Sequence, residues 1–201
     1  NYFDNALINQ IPDALGRGMQ TPNSLIGVDG HRIMQTAWQA KALTTFDLPR
    51  AFREKLSESY DVGRPKLAHR DSAPDGTVKP LLELGDGEQV ESVYLPYPDR
   101  VSVCLSSQVG CPAGCTFCAT AQGGLARNMT AGEIAGQILA LADENPERRI
   151  SHAVYMGMGE PLLNYDNVLK SVRLLVDEVG MSPRHITIST VGVVPGILSL
   201  A

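Results

Sequence analysis

From Arg100 onward the sequence alternates short apolar segments with longer amphipathic ones, and this order is its strongest constraint on the fold. The segments Arg100–Leu105, Val154–Met158 and His185–Thr190 have the length and apolar content of buried strands. Helix-like segments separate them, which favours parallel pairing through right-handed crossovers. The pattern therefore predicts an α/β fold whose reactive loops leave the carboxyl ends of the strands.

The two intervening helices have recognisable starts. Thr130 and Glu133 form a capping-box pair at the first one. That helix then places apolar residues on one face, namely Ile134, Ile138, Leu141 and Ala142. Asp166 is predicted to cap the second helix, which has a face rich in valine and leucine and is ended by Gly180.

The amino-terminal half is predicted to contain two further parts. Residues 1–62 read as a small helical unit, and residues 63–96 as a linker followed by a β-hairpin. The linker prediction depends on the proline, glycine, aspartate and arginine content of residues 63–76. The hairpin pairs Thr77–Leu84 with Glu88–Tyr97 across the turn sequence Gly85-Asp86-Gly87. Residues 97–201 then form the third part, which carries the alternating strands and helices.

Composition limits the class of protein. The chain has 201 residues, of which 43% are hydrophobic, and a formal net charge of -5. A core of ordinary size is therefore available, and any contact with nucleic acid must depend on local basic patches. No apolar run approaches the ~18 residues of a membrane-spanning helix, and the start lacks a secretory pattern. We expect a cytoplasmic protein with no membrane partner.

All four cysteines lie close together, at Cys104, Cys111, Cys115 and Cys118. Such crowding is a poor disulfide framework and favours metal binding in a reducing compartment. The last three follow a Cys-x-x-x-Cys-x-x-Cys spacing, which suits an iron–sulfur cluster with one iron left open, and Phe117 is expected to cover it. Two alternatives stay open: a zinc site with Cys104 as fourth ligand, in a non-catalytic RNA-binding module, and an electron-transfer protein.

Further motifs surround these cysteines: Cys104–Cys111, Phe117–Ala121, Arg127-Asn128, Met156–Leu162 and Ile188–Pro195. Taken together, they resemble the radical S-adenosylmethionine (SAM) enzymes that methylate carbon 2 of adenine in RNA. The resemblance covers residues 85–201, and residues 1–60 match the family's helical RNA-binding extension only loosely. It implies the first strands and helices of a partial (β/α) radical SAM barrel, preceded by the small helical unit and the β-hairpin.

The resemblance also implies cofactors and ligands. The three closely spaced cysteines would hold a 4Fe-4S cluster whose open iron binds SAM, and reductive cleavage of SAM would give a deoxyadenosyl radical. Gly159 and Glu160 would meet the amino group of SAM, and a carboxylate is a suitable acceptor for an ammonium. Ser189 would make a further contact with the cofactor.

Two catalytic residues are implied in the same way. The family counterpart of Cys104 resolves an enzyme–RNA adduct by forming a disulfide, which requires an accessible thiolate. Glu91 shares a predicted strand face with Val93 and Leu95, and the family uses a glutamate here as proton acceptor, a role that burial would favour. From the residues alone, a buried structural thiol is the commoner explanation of Cys104, and an edge-strand charge explains Glu91 equally well.

The implied substrates are an adenine of 23S ribosomal RNA and also transfer RNA, with a low-potential electron donor and a monomeric enzyme. In the family a further cysteine, downstream of this sequence, carries the methyl group. We therefore expect a chain truncated at its carboxyl terminus that cannot complete methyl transfer by itself. A relative that methylates carbon 8 of adenine is an alternative, and Pro161 favours carbon 2.

Overall fold

The structure is a computed structural model that describes residues 50, 51, 54 and 64–200. The chain divides into two units between Gly63 and Arg64, and the fold below is that of the second unit. Arg50, Ala51 and Glu54 are helical. The rest of the helical unit predicted over residues 1–62 lies outside the described residues, so that part of the domain division stays a prediction.

The described strands form one main sheet and a separate ribbon. Their bounds are β1 (Lys66–Ser72), β2 (Val78–Glu83), β3 (Gln89–Glu91), β4 (Val93–Pro96), β5 (Val101–Cys104), β6 (Gln108–Gly110), β7 (Leu125–Asn128), β8 (His152–Tyr155) and β9 (Ile186–Ile188). The main sheet has the order β1-β2-β4-β5-β8-β9, with β3 also paired to β2. Strands β6 and β7 form the ribbon.

The amino-terminal half of the main sheet is antiparallel. Strand β2 pairs with β1, β3 and β4, and β4 pairs with β5. The predicted hairpin is confirmed, with its turn closed by a 3.0 Å hydrogen bond from Gly87 N to Leu84 O. The predicted linker is wrong over Lys66–Ser72, because these residues form strand β1. All seven are exposed, so backbone pairing holds this edge strand, and a search for apolar alternation does not detect it.

The carboxyl-terminal half of the main sheet is parallel, as the alternation of strands and helices predicts. Strand β8 pairs with β5 on one side and with β9 on the other. The helices are α1 (Ala119–Gln122), α2 (Ala131–Glu144), α3 (Tyr165–Asp177) and α4 (Val194–Leu200). Helix α2 lies in the connection from β5 to β8, and α3 in the connection from β8 to β9. Strand β8 ends at Tyr155, so the residues predicted to complete it, 156–158, belong to the loop after it.

The core is built from the inner strands and the apolar faces of α2 and α3. Its members are nearly inaccessible to solvent: Val101, Val103, Leu105, Ala153, Tyr155, Ile134, Ile138, Leu141, Val168 and Leu175. Burial of each large aliphatic side chain contributes about 1.5 to 3 kcal/mol. Buried Gln137 holds α2 to the end of β5, because it accepts a 2.9 Å bond from Ser106 N and donates a 2.8 Å bond to Ser106 O.

The two helix starts compare differently with their predictions. The capping box at Thr130 is confirmed: Thr130 Oγ1 accepts from Glu133 N, and the Glu133 carboxylate accepts from Thr130 N. The cap predicted at Asp166 is wrong, because Asn164 is the N-cap of α3 and Asp166 lies in the first turn. Residues Pro161–Asn164 form a 3-10 turn that runs directly into the helix and thereby moves its start. Within the described residues, no helix combines the length and apolar character needed to cross a bilayer.

Candidate functional site

The predicted site residues lie around one edge of the main sheet. Cys104 ends β5, the loop from Met156 to Glu160 follows β8, and Ser189 follows β9. Because these strands are parallel neighbours, their carboxyl ends point the same way and their loops lie side by side. The sequence prediction that reactive loops share this edge is therefore confirmed.

The β6–β7 ribbon forms the base of the loop that carries the three cysteines. Cys111 N donates to Gly124 O at 2.8 Å, which closes the loop directly above the ribbon. Gly110 has φ +78°, and a Cβ at this position would overlap the backbone carbonyl of Gly124. Only glycine permits so close an approach of the two backbones. Apolar patterning in the sequence does not reveal this ribbon, because its strands are short and its β7 residues are largely exposed.

The loop presents three free thiols. Cys111 is buried, whereas Cys115 and Cys118 are partly exposed. Cys118 N donates to Cys115 O at 3.1 Å, so a turn brings these two residues together. Cys118 also caps the short helix α1, and the backbone amide of Ala121 is the main cause of a lowered pKa of the Cys118 thiol. Amide dipoles at such a position favour the thiolate, which is the form that binds metal.

The thiols are not arranged as a closed ligand set. Among residues 64–200 and the three described upstream, no group of three or more His, Cys, Asp or Glu side chains has metal-binding geometry. Neither the predicted cluster nor the zinc alternative with Cys104 is therefore assigned by geometry. Phe117 is 91% exposed, so the described residues of this chain do not bury it, and its expected role as apolar cover for the irons stays a prediction.

The turn after β8 lies against the start of the cysteine loop. Gly159 has φ +98°, and a Cβ there would lie 2.6 Å from Gln108 Cβ and 2.7 Å from Gln108 N. Ser107 N and Gln108 N both donate to Met158 O, at 2.8 and 3.2 Å. The glycine thus allows the predicted Gly159–Glu160 motif to approach the chain only a few residues before Cys111.

Glu160 is buried, with 2% of its surface exposed, and its carboxylate is bound by groups of this chain. Oε1 accepts from Leu162 N at 3.0 Å and from Thr190 Oγ1 at 2.6 Å, and Oε2 accepts from Val191 N at 2.8 Å. These three bonds leave one of about four lone-pair positions of a carboxylate for any other partner. Glu160 therefore connects the turn after β8 with the loop after β9.

Ser189 and Thr190 begin the loop after β9. Ser189 is partly buried, and its N–H donates to Tyr155 O at 3.4 Å, beside the end of β8. Thr190 Oγ1 donates to Glu160 and accepts from Gly192 N at 3.1 Å. The structure therefore brings Ser189, Gly159 and Glu160 to the same edge, as predicted.

Cys104 is partly buried at the end of β5, and this burial raises the pKa of its thiol. Burial of this kind favours the thiol over the thiolate, so an attack by Cys104 would first need a base that removes its proton. Its implied role stays a prediction.

Glu91 is not the buried carboxylate that the sequence pattern predicts. Its side chain is 48% exposed, and its Oε1 lies 2.7 Å from Lys79 Nζ. Burial alternates through this segment, with Val90, Ser92 and Tyr94 buried, so Glu91 does share a face with Val93 and Leu95, but that face is the more exposed one. The Glu91 backbone still lies near the site, since its N–H faces Met158 Sδ at 3.3 Å and its carbonyl accepts from Ser106 Oγ.

Several residues at this edge were not identified from the sequence. Gln108 and Thr190 bond to Glu160, and Asn164 Nδ2 donates to both Ser107 O and Met129 O at 2.7 Å. Buried amide and hydroxyl side chains have no periodic pattern of their own. The available signal was weak: each of these polar residues follows closely on an apolar strand or precedes a helix.

An ion network attaches the ribbon to its surroundings. Arg127, in β7, binds both oxygens of Glu133 at 2.8 and 3.0 Å and Asp86 Oδ2 at 2.7 Å. Its Glu133 partner is also part of the capping box of α2. Bonds from Glu133, and then from Asp86, raise the pKa of Arg127. Arg127 belongs to the Arg127-Asn128 motif noted in the sequence, and in the structure it fixes the base of the cysteine loop.

The parallel strands, the three-cysteine loop and the glycine–glutamate turn define a class of protein. Residues 105–200 match the model of the radical SAM superfamily.

Within that class the similarity is to RNA methyltransferases. The chain is 50% identical over 153 residues to the dual-specificity RNA methyltransferase RlmN of Halorhodospira halophila, covering 75% of this chain and 43% of that protein. It is 47% identical over 190 residues to the probable RlmN of Thermus thermophilus, covering 90% and 53%. A crystal structure of a radical SAM methyltransferase from Sphaerobacter thermophilus superimposes with a TM-score of 0.78 at 38% identity, covering 89% of this chain and 56% of that one. The chain thus spans about half the length of these relatives.

Proposed function

We propose that this chain provides the cofactor-binding part of a radical SAM RNA methyltransferase. The observation that carries the proposal is the loop with three free thiols at Cys111, Cys115 and Cys118, which follows β5 and lies beside the Gly159–Glu160 turn. Its high identity to RlmN proteins supports the methyltransferase assignment. The proposed reaction is methylation of carbon 2 of an adenine in 23S ribosomal RNA and in transfer RNA.

The donor set suits a 4Fe-4S cluster. Three thiols in one loop, one of them with a lowered pKa, are the ligand type that such clusters bind, and three ligands leave one iron for SAM. When bound, this cluster supplies the electron for reductive cleavage of SAM. We assign Cys111, Cys115 and Cys118 to the cluster and Gly159, Glu160 and Ser189 to the SAM-binding edge.

The side chain of Glu160 has little free capacity to bind a cofactor. The Glu160 carboxylate is committed to three bonds within the chain, so it can offer a cofactor ammonium only its remaining acceptor position. Its main effect is to fix the loops after β8 and β9 next to each other. Gly159 leaves space at the surface of this turn for a ligand to approach the backbone.

Cys104 and Glu91 are proposed as the residues that act on the RNA adduct. The register pairs Cys104 with Val93, two residues after Glu91, so both lie on adjacent strands near the same edge. Burial keeps Cys104 as a neutral thiol, so a base must remove its proton before the thiolate can attack sulfur. Glu91 is half exposed and paired with Lys79, which places its carboxylate near the surface that the RNA would approach.

The remaining partners are part of the same proposal: a low-potential electron donor, a monomeric enzyme and a cytoplasmic location. All four cysteines of the sequence already have assigned roles, so no thiol is left among these 201 residues to carry a methyl group. We therefore expect the chain alone not to produce C2-methyladenosine.

Anaerobic reconstitution tests the proposal. The purified chain should bind about four irons with matching sulfide, and its reduced electron paramagnetic resonance (EPR) spectrum should shift when SAM is added. Single serine substitutions of Cys111, Cys115 and Cys118 should each abolish stable iron binding, whereas Cys104→Ser should retain it. Stoichiometric zinc, or a cluster that does not respond to SAM, would support the zinc or the electron-transfer alternative instead.

A second assay tests whether the chain alone can complete methyl transfer to RNA. Mass spectrometry of RNA treated with the reconstituted chain, SAM and reductant should detect no methyladenosine. C2-methyladenosine would contradict the assignment of all four thiols, and C8-methyladenosine would contradict the carbon-2 assignment as well.

A further inference from the structure

Gln108 lies where three segments of the candidate site meet. It is the first residue of β6, is fully buried, and precedes Cys111 by only three positions. Its Nε2 donates to Asn128 Oδ1 at 2.8 Å, at the end of β7 and therefore at the return of the cysteine loop. Its Oε1 accepts from Glu160 N at 2.8 Å, in the turn after β8. One side chain thus connects both ends of the cysteine loop to that turn.

Backbone contacts strengthen this connection. Gln108 N donates to Met158 O at 3.2 Å, and Gly159 approaches so closely that an added Cβ would lie 2.6 Å from Gln108 Cβ. The turn after β8 is consequently held on Gln108 by two hydrogen bonds and by direct packing. Movement of Gln108 must displace the turn.

The connection continues to the third loop through Glu160. The carboxylate of this residue accepts from Thr190 Oγ1 at 2.6 Å and from Val191 N at 2.8 Å. A continuous series of bonds therefore joins Asn128, Gln108, Glu160 and Thr190. It crosses the loops that follow β5, β8 and β9, the three loops at which the proposed function places the cofactors.

We propose that Gln108 and Thr190 are positioning residues that fix the spacing between the cysteine loop and the SAM-binding turns. This inference rests on the proposed function and adds two residues to it. A glutamine suits the position because its amide donates in one direction and accepts in the other. Replacement by leucine would leave Glu160 N without its partner and would loosen the turn, which then keeps only its backbone bonds to Ser107 and Gln108. A displacement of about 1 Å is enough to weaken a preorganised site severely.

The test compares two buried glutamines. Gln108→Leu removes the bridge between the loops. Gln137→Leu removes a comparable pair of bonds from an equally buried glutamine, but these bonds join α2 to the backbone of Ser106 and do not themselves reach the turn after β8, which Ser106 contacts through its hydroxyl. Each variant is reconstituted anaerobically, and its iron content, its SAM dissociation constant and its SAM-induced EPR shift are measured together with its urea unfolding curve.

The positioning role predicts a specific separation of these readouts. Gln108→Leu should keep its iron, since all three thiols remain, but should bind SAM about tenfold or more weakly. Gln137→Leu should be destabilised to a similar degree and bind SAM within about twofold of the wild type. Thr190→Val should behave like Gln108→Leu, and Thr190→Ser, which keeps the hydroxyl, should restore SAM binding. Equal losses of SAM affinity in the two leucine variants, or no loss in Gln108→Leu, would overturn the proposal.

Hydrogen exchange of the unreconstituted chain provides a readout that needs no cofactor. In Gln108→Leu, exchange should accelerate in both residues 157–163 and residues 189–193, whereas Gln137→Leu should leave these two segments unchanged. Acceleration confined to β6 and β7 would show that the bridge does not couple the loops. A wild-type chain that takes up iron but ignores SAM would contradict the proposed function and the cofactor part of this inference, and the exchange result would still decide the coupling.

Discussion

Replacement of Gly159 by alanine provides the sharpest test of how the site is packed. Two independent costs meet at this residue. Its φ of +98° is strained for alanine, and the added Cβ would lie 2.6 to 2.8 Å from atoms of Gln108. Backbone strain of this kind costs about 1 to 3 kcal/mol, and overpacking of a tight contact costs about 1 to 3 kcal/mol. We therefore expect Gly159→Ala to lower the free energy of unfolding by about 2 to 6 kcal/mol.

Three other glycines separate the two costs. Gly87 has φ +86° and open space around the added Cβ, so Gly87→Ala should show only the backbone cost. Gly157 lies outside the positive-φ region, but its Cβ would lie 2.7 Å from Ser106 Oγ and 2.8 Å from Leu105 O, so Gly157→Ala should show only the steric cost. Gly85 has neither feature, and Gly85→Ala should change stability by less than about 1 kcal/mol.

Urea unfolding followed by far-ultraviolet circular dichroism measures all four variants in the same chain. The expected order of destabilisation is Gly159 first, then Gly87 and Gly157, then Gly85. The loss for Gly159→Ala should approach the sum of the Gly87→Ala and Gly157→Ala losses. A Gly159→Ala variant no less stable than Gly87→Ala would show that the turn does not lie tightly on Gln108, and the argument for a fixed spacing between the loops would fail.

Three further predictions concern the surrounding fold. Burial raises the pKa of Tyr155 to about 12, so the folded state favours the neutral phenol. This contributes about 2 to 3 kcal/mol of stability at its largest, which is present below pH ~10 and is lost as the pH rises to about 12. Tyr155→Phe should therefore flatten the alkaline part of a plot of unfolding free energy against pH, and an unchanged slope would contradict this. Arg127→Ala should lower the free energy of unfolding by about 1 to 3 kcal/mol because it breaks bonds to two carboxylates. Lys79→Ala breaks one half-exposed ion pair and should lower it by less than about 1 kcal/mol. Equal losses of the two variants in urea unfolding would refute the network around Arg127. Thr130→Ala should cost about 1 kcal/mol and Thr130→Ser much less, and an equal loss in both would show that the hydroxyl does not cap α2.

The candidate site was predicted in its parts but not in its connections. Cys111, Cys115 and Cys118 stand out in the sequence because a metal-binding loop needs thiols at short, regular spacing, and such spacing is local. Gln108 and Thr190 could not be found in that way. Their partners are distant along the chain: Glu160 lies 52 residues from Gln108 and 30 residues from Thr190.

Burial was the property that sequence patterns predicted least well. Glu91 was expected to be buried and is half exposed, and the sequence left open whether Cys104, which is partly buried, is accessible. In each case the local pattern gives a face or a spacing, but the exposed fraction depends on which distant segments pack against it. Residues 90–95 show the same limit. Their alternation puts Glu91, Val93 and Leu95 on one face, but only tertiary packing decides that the opposite face, with Val90, Ser92 and Tyr94, is the buried one.

The sequence by itself determined the order of the three parallel strands and of the two helices between them, the capping box of α2 and the three-thiol loop, because each depends on interactions within a few residues. Only the tertiary structure decided that the exposed segment Lys66–Ser72 pairs as an edge strand. It also decided that Glu160 is bound by donors from the loop after β9. These features arise from backbone pairing and buried hydrogen bonds between residues far apart in sequence, and such bonds require groups whose positions are fixed only when the parallel strands come together.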